Sequence, residues 1–451
     1  MDDIQKVYFI GIGGIGMSAL ARYFNGRSVA VFGYDKTATT LTKKLVEEGM
    51  MIHFEDDTSQ IPEGIDLVVY TPAIPDDHRE LNYFRNHNFP LKKRAEVLGM
   101  ISRTQRTIAI AGTHGKTTTT SILTHILHEG GVDCTAFLGG IANNFSSNYV
   151  EGNSDWVVVE ADEYDRSFLH LTPEGAVILS MDADHLDIYG ADEEVKTGFR
   201  IFGSQVKDHG KLLVNQRWIT EYLKKNEVQD KVKTYGLELG NYYATKIKVV
   251  DGYFVFDFKS EMSDIANLQF NLPGHHNIEN ATAAIAVALG LGVSVDAIRR
   301  SLVSFKGIRR RFEIIYRDEK VVYIDDYAHH PSELQAAIHA ARVLFPTRRI
   351  TGIFQPHLFS RTRDFLTGFA EVLSTLDEVI LLDIYPAREL PIAGVTSEAI
   401  YKLITNDAKV LTTKQALLEL LATRDLEVLM TLGAGDIDTL VLPIKEQLTN
   451  G

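Results

Sequence analysis

The run Ala111-Gly112-Thr113-His114-Gly115-Lys116-Thr117-Thr118 decides the fold. An apolar segment, 107–111, precedes it, and a helical pattern from 117 to about 129 follows. A glycine-bearing turn between a buried strand and a helix makes a phosphate cradle. Glycine lets successive N–H groups curl toward one point, and the helix dipole reinforces them. Lys116 is placed to neutralise the β- and γ-phosphates of ATP, and the Thr117 hydroxyl to ligate Mg²⁺. The strict spacing asks for glycine five positions before Gly115, where Ile110 stands, so this is a shortened variant. Gly112, Thr113, His114, Gly115, Lys116, Thr117 and Thr118 form the candidate ATP loop, and Lys116 is the first catalytic candidate.

Upstream lies a second glycine turn. Strand 6–10 enters Gly11-Ile12-Gly13-Gly14-Ile15-Gly16, a helix runs to about 24, and strand 29–34 ends at Asp35. On its face this is a dinucleotide fingerprint. Its physics suits any pyrophosphate, so a nicotinamide oxidoreductase and a UDP-sugar site both stay open, and the ATP loop that follows favours UDP. A third apolar run, 67–70, ends at Thr71-Pro72, and polar residues 102–106 read as a linker.

Downstream, strands 156–160 and 176–180 lead into Glu160-Ala161-Asp162-Glu163-Tyr164-Asp165 and Asp182-Ala183-Asp184-His185-Leu186-Asp187. Doubly wound sheets place ligands at such strand ends. Oxygen-rich clusters there suit Mg²⁺. Residues 241–272 alternate like an antiparallel insertion, and helix 278–289 closes the block. After Arg309-Arg310-Arg311 come strands 321–325, 349–354, 378–383 and 427–432, separated by helices 332–344, 363–373 and 414–421. Alternating strands and helices predict an α/β protein of three domains. These are an N-terminal Rossmann-like domain (1–104), a central P-loop ATPase-like parallel sheet (105–311) and a C-terminal Rossmann-like domain (312–451). The 451 residues agree with that count at roughly 150 residues per domain.

Composition narrows the partners. Sixty acidic residues against 46 basic ones give a net charge of −14, which argues against nucleic acid. Positive groups must then gather locally if anions are bound. The single cysteine, Cys134, can form no internal disulfide, which fits a reducing compartment. The first residues lack the pattern of a signal peptide, and the longest apolar run, 281–291, is too short to span a bilayer. The expectation is a cytoplasmic protein without membrane insertion, either monomeric or homodimeric.

The ATP loop resembles that of the Mur ligases and, less specifically, of folylpolyglutamate synthases. Further strings extend the resemblance to the Mur ligases over essentially the whole chain. The resemblance implies ATP-dependent joining of L-alanine to the lactyl carboxylate of UDP-N-acetylmuramate, through an acyl phosphate, in peptidoglycan synthesis. It assigns Gly11, Gly13, Gly14, Gly16, Asp35, Thr71 and Ala73 to the UDP sugar. It assigns Glu160 and His185 to metal, beside Thr117. His185 is also a candidate for proton removal. Pro273-Gly274-His275-His276-Asn277-Ile278-Glu279-Asn280 resembles an adenine-recognition string, with Asn280 as ligand and Asn277 as ligand or helix cap. Arg311 and Asp326 would reach the phosphates or ribose of ATP. Tyr327, His329, His357 and Arg361 would hold the amino acid, with His329, His330 and His357 otherwise read as helix-start or core histidines. Several relatives carry a carbamylated lysine fifteen residues past the metal histidine. Arg200 stands there, a cation for the phosphates or a partner for Asp or Glu.

Two departures weaken the match locally. Glu55-Asp56 replaces a Gly-His pair near the diphosphate, and Leu358 replaces an arginine after His357. The nearest rival reading is a ligase that recycles murein tripeptide onto the same sugar nucleotide. A non-catalytic P-loop switch is a third.

Overall fold

The computed structural model describes residues 3–182, 192–224, 231–250, 253–387 and 389–450. Hydrophobic runs of four to six residues become buried parallel strands, as near-continuous apolar segments should in sheets covered on both faces. The first sheet has the order β3-β2-β1-β4-β5, from β1 (Lys6–Ile10), β2 (Ala30–Tyr34), β3 (Met51–His53), β4 (Leu67–Tyr70) and β5 (Leu91–Lys93). All its pairings are parallel.

The second sheet contains β6 (Arg106–Ala111), β7 (Thr135–Ala142), β8 (Ser147–Val150), β9 (Trp156–Ala161), β10 (Gly175–Ile178), β11 (Lys211–Asn215), β12 (Val232–Leu237), β13 (Tyr242–Val250), β14 (Tyr253–Ser260) and β15 (Ile265–Phe270). Its order is β15-β14-β13-β12-β11-β10-β6-β9-β7-β8. The strand before the phosphate loop, β6, lies between β9 and β10 in parallel register. The polar groups that follow these three strands therefore emerge at one edge. The third sheet has the order β16-β17-β21-β18-β19-β20, from β16 (Glu313–Arg317), β17 (Val322–Asp326), β18 (Ile350–Phe354), β19 (Glu378–Leu381), β20 (Lys409–Leu411) and β21 (Val428–Leu432). Only β16 runs antiparallel there.

Backbone contacts divide the chain into two compact units. The first holds residues 1–248, 255–271 and 276–306; the second holds 249–254, 272–275 and 307–451. Within the first unit, helix Ile15–Gly26 turns its aromatic side toward β7 and β8. Tyr23 sits 5.5 Å from Phe137 and 6.4 Å from Tyr149, ring to ring. These residues belong to one apolar core that includes Val7 and Phe9 of β1 and Val157 and Val159 of β9. A polar seam joins the same helix to β8: the Asn148 amide donates to the Ser18 hydroxyl at 2.9 Å, and Arg22 donates to the Asn148 carbonyl. The first two sheets therefore share a core.

The expected linker at 102–106 is absent. Helix Arg94–Thr104 runs through it and β6 starts at Arg106, because Ala95, Val97, Leu98 and Ile101 form a buried helical stripe and Ser102 caps inward onto the Gly99 carbonyl. The helix expected over 363–373 is two pieces, Phe359–Asp364 and Leu366–Leu373, broken at Phe365. Asn277 does not cap its helix, which begins two residues earlier at His275. Short strands such as β3, β5, β7 and β8 escaped sequence reading.

Under the first sheet, Tyr8 places its hydroxyl 2.6 Å from Glu80 Oε2 and 2.6 Å from His53 Nε2. His53 Nδ1 donates to the Glu55 carbonyl at 2.8 Å. Asp56 accepts from the Arg79 and Glu80 amides at 2.8 and 3.0 Å, capping helix Arg79–Asn86. Asp56, one of the acidic pair that broke the family pattern, thus serves a helix N-terminus. Burial pushes the Glu80 carboxyl up from 4.5 to about 7. Between those values the folded chain holds a proton that the unfolded chain has released, so stability falls as pH rises across the window. Thermal unfolding of Glu80→Gln, which cannot ionise, should show a flatter dependence of Tm on pH between 4.5 and 7 than the unsubstituted chain.

Candidate functional site

The phosphate loop is already wired to the acidic string after β9. Gly112 and Gly115 take φ of +143° and +82°, backbone that favours glycine. Lys116 starts the helix and turns its ammonium inward. Nζ lies 2.8 and 3.1 Å from the Glu163 carboxylate and donates to the Gly112 carbonyl at 2.7 Å. Burial pulls the ammonium's pKa down, but Glu163, Asp162 and Glu160 outweigh it and hold the group above its ordinary value. The Thr117 hydroxyl donates to Glu160 at 3.0 Å, and Glu160 Oε2 accepts from the Gly139 amide at 2.8 Å. The sequence singled out Lys116, Thr117 and Glu160, and the structure brings them together. It missed Glu163 as the partner of Lys116 and Gly139 as the partner of Glu160.

The rest of the loop is braced by the strand beside it. Thr113 donates to the Asp182 carbonyl at 3.0 Å, and the His114 amide to the Ser180 hydroxyl at 3.0 Å. His114 is exposed at the lip, and Thr118 is half-buried on the helix's first turn. Asn280 is 8% exposed and packs on the loop: a Cβ built on Gly115 would stand 2.7 Å from Asn280 Oδ1. His185 lies outside the described residues. Arg200 is buried on helix Asp192–Ser204, donating to Glu193 at 2.9 Å and to the Glu221 carbonyl at 3.2 Å. Of its two expected uses, the structure has the carboxylate pairing.

The first glycine turn faces the same region. A cavity of about 380 Å³ is lined by Gly14, Gly16, Thr71, Ala73, Arg94, Gly139, Glu160 and Asp162, among others. Arg94, unassigned by the sequence, approaches Gly16 so closely that a Cβ there would lie 2.8 Å from its guanidinium. It also sits 3.6 Å from Asp162. Lys93 pairs with Asp165 at 2.9 Å, where Asp165 and Arg166 both hold left-handed backbone. Gly11 and Gly13 do not line the cavity. Gly11 packs on Thr71 and Ile74, and the Gly13 amide donates to Asp35 at 2.7 Å. Asp35 therefore fixes the turn directly.

The amino-acid candidates assemble on the third sheet. Tyr327 and His329 follow β17; His357 and Arg361 follow β18. The His329 ring lies 5.3 Å from Tyr327 and 6.2 Å from His357. Arg361 donates to His357 Nδ1 at 3.1 Å. His330 caps the next helix by accepting from the Ser332 amide, the structural role the sequence had left open. Asp326 accepts from the Phe312 and Ala328 amides at 2.6 and 2.7 Å, and burial raises its carboxyl to about 6. Arg311 lies 5.5 Å from the Tyr327 ring. Its neighbour Arg310 pairs with Asp325 at 3.1 Å and donates to the Gly433 carbonyl at 2.6 Å.

Three family descriptions match this chain in register with those sheets: "Mur ligase family, catalytic domain" over residues 6–106, "Mur ligase middle domain" over 110–288 and "Mur ligase, glutamate ligase domain" over 310–435. The chain belongs to the Mur ligase family. Among similar Mur ligases, the UDP-N-acetylmuramate–L-alanine ligase of Flavobacterium johnsoniae is 49% identical over 99% of both chains. The enzyme of the same name from Porphyromonas gingivalis is 48% identical over 99% of both. The crystal structure of UDP-N-acetylmuramate-alanine ligase from Thermotoga maritima superposes with a TM-score of 0.85 at 27% identity, covering 99% of both chains. A murein peptide ligase from Psychrobacter arcticus shares the fold, with a TM-score of 0.72 at 22% identity over 99% of both.

The Glu163–Lys116 pair yields a stability test. Removing one member of a buried pair strands the other charge. Glu163→Gln should cost about 3 kcal/mol in chemical denaturation. Glu163→Asp, which keeps the charge, should cost clearly less.

Proposed function

We propose that this protein uses ATP to join L-alanine to the lactyl carboxylate of UDP-N-acetylmuramate. One observation carries the reading: the first glycine turn, the cation Arg94 and the carboxylate Glu160 open onto one cavity. A pyrophosphate-binding turn and the machinery of a phosphate loop meet there, which is what a sugar-nucleotide acid awaiting phosphorylation requires. The names of the similar Mur ligases agree with it.

Carboxylate and amine do not condense unaided at neutral pH. Phosphorylation by ATP supplies the missing leaving group. In this reading Gly14 and Gly16 seat the diphosphate at a helix N-terminus, and Thr71 and Ala73 close its other side. Lys116 leaves Glu163 for the β- and γ-phosphates and stabilises the charge that spreads during transfer. Asn280, which packs on the loop beside Gly115, holds the adenine end of the nucleotide. Arg361 binds the amino-acid carboxylate in a fork, His357 fixes Arg361, and Tyr327 and His329 border the small side chain. The roles of Gly11, Gly13 and Asp35 are to shape the turn.

Mg²⁺ fits the oxygens at Thr117 and Glu160. Among the described residues no cluster of three or more acidic, histidine or cysteine groups surrounds them. One or two protein oxygens completed by phosphates and water is the usual Mg²⁺ arrangement. When bound, the ion would lower the charge repulsion around the phosphates. No helix among the described residues is long and apolar enough to cross a membrane, and we place the protein in the cytoplasm.

The test is phosphate release from ATP and UDP-N-acetylmuramate with L-alanine, glycine, L-serine or murein tripeptide. Release should require the sugar nucleotide and an amine together, with L-alanine preferred. Preference for tripeptide would favour the recycling reaction instead. Lys116→Ala, checked for folding by its melting curve, should lower turnover by on the order of 10³-fold, as loss of a group aimed at developing charge does. Full turnover in that variant would refute the ATP-loop assignment.

A further inference from the structure

Three histidines gather at the amino-acid site, and their hydrogen bonds sort them. His330 Nδ1 accepts from the Ser332 amide at 3.3 Å; an amide N–H can only donate, so the neutral ring carries its proton on Nε2. His357 Nδ1 faces the Arg361 guanidinium at 3.1 Å, and arginine too can only donate. His357 is therefore also the Nε2–H tautomer, with its lone pair engaged. His329 is the opposite case. Its Nδ1 lies 3.0 Å from the Tyr327 carbonyl, which can only accept, so the proton sits on Nδ1 and the lone pair on Nε2. That Nε2 has no partner among the described residues, and the side chain is 21% exposed. Glu333, one turn along the next helix, accepts from the His329 amide at 3.0 Å and stands 3.3 Å from Nδ1. A carboxylate behind an imidazole fixes the ring and stabilises the cation that forms when Nε2 gains a proton.

We propose that His329 takes the proton from the ammonium of the incoming amino acid, and that Glu333 is the residue that positions it. This rests on the amino-acid site described above. An N–H bond of the ammonium breaks and its proton moves to His329 Nε2. The freed nitrogen lone pair forms the C–N bond to the acyl carbon. The C–O bond to phosphate then breaks, and the phosphate leaves with that electron pair and with the second nitrogen proton. The imidazolium releases its proton to water.

The charges around the ring suit the task. Burial keeps the imidazole below its ordinary pKa; Arg361 and Arg311 push the same way, while Glu333 and the Tyr327 carbonyl oppose them. The Tyr327 and His357 rings also face it, at 5.3 and 6.2 Å. At neutral pH the ring is therefore an unprotonated acceptor. A nearby guanidinium also favours loss of the ammonium proton.

His329→Asn and Glu333→Gln in the full-length protein test this. Each is assayed two ways: amide formation with L-alanine, and hydroxamate formation with hydroxylamine replacing the amino acid. Hydroxylamine is an uncharged nucleophile at neutral pH and needs no base, so it reports acyl-phosphate formation alone. For His329→Asn we expect kcat for amide to fall on the order of 10²- to 10³-fold. KM for L-alanine should stay within about threefold, hydroxamate formation within about twofold, and the acid limb of the kcat–pH profile should vanish. Glu333→Gln removes the group that raises the ring's pKa, so its acid limb should move to lower pH, with a smaller loss of kcat. Retained amide turnover in His329→Asn, or equal loss of amide and hydroxamate, overturns the proposal. If His329→Asn does not fold, an unmoved acid limb in Glu333→Gln overturns it. Hydroxamate without any amide from L-alanine in the unsubstituted enzyme would instead sink the substrate assignment.

Discussion

The packing of helix Ile15–Gly26 on β7 and β8 is the constraint from which the site follows. Tyr23 has no room to move without opening the core it shares with Phe137 and Tyr149. Close-packed interiors resist such displacement. The N-terminus of that helix is the first glycine turn, so the same contact aims the turn at the edge where β6 and β9 deliver Lys116 and Glu160. The first glycine turn and the Glu160 carboxylate then line one cavity because their supports share one core.

Electrostatics explains how an acidic chain tolerates and uses that arrangement. Its net charge of −14 would repel nucleotides at a distance. The positive groups are few and are held where they count, on helix N-termini and on Lys93, Arg94 and Lys116. Each of these cations has a carboxylate within reach. Lys116, the most buried of the three, has most need of its partner. The same economy appears on the third sheet, where Arg310 is tied to Asp325 and Gly433 and stiffens the segment from which Tyr327 leaves β17.

Some residues read from the sequence as ligands also have partners within the fold. Asp35 bonds the Gly13 amide, Asp326 bonds two backbone amides, and Arg200 pairs with Glu193. A motif records that a residue type is required at a position, but not which neighbour requires it. Conversely, Glu163, Gly139, Arg94 and Glu333 carry no motif of their own. Each matters through a partner distant in sequence or through a single geometric contact.

The sequence by itself determined the three alternating blocks, the parallel sheets, the phosphate loop and the family, because strand and helix periodicity and glycine spacing are local properties of a chain. Even the runs 6–10 and 67–70 matched their strands residue for residue. Only the tertiary structure decided which of these parts face each other. It joined the first two sheets through one helix, erased the linker at 102–106, and set a proton on Nε2 of two histidines and on Nδ1 of the third. Those outcomes depend on contacts between residues far apart along the chain, whose distances and donor–acceptor directions no local pattern encodes.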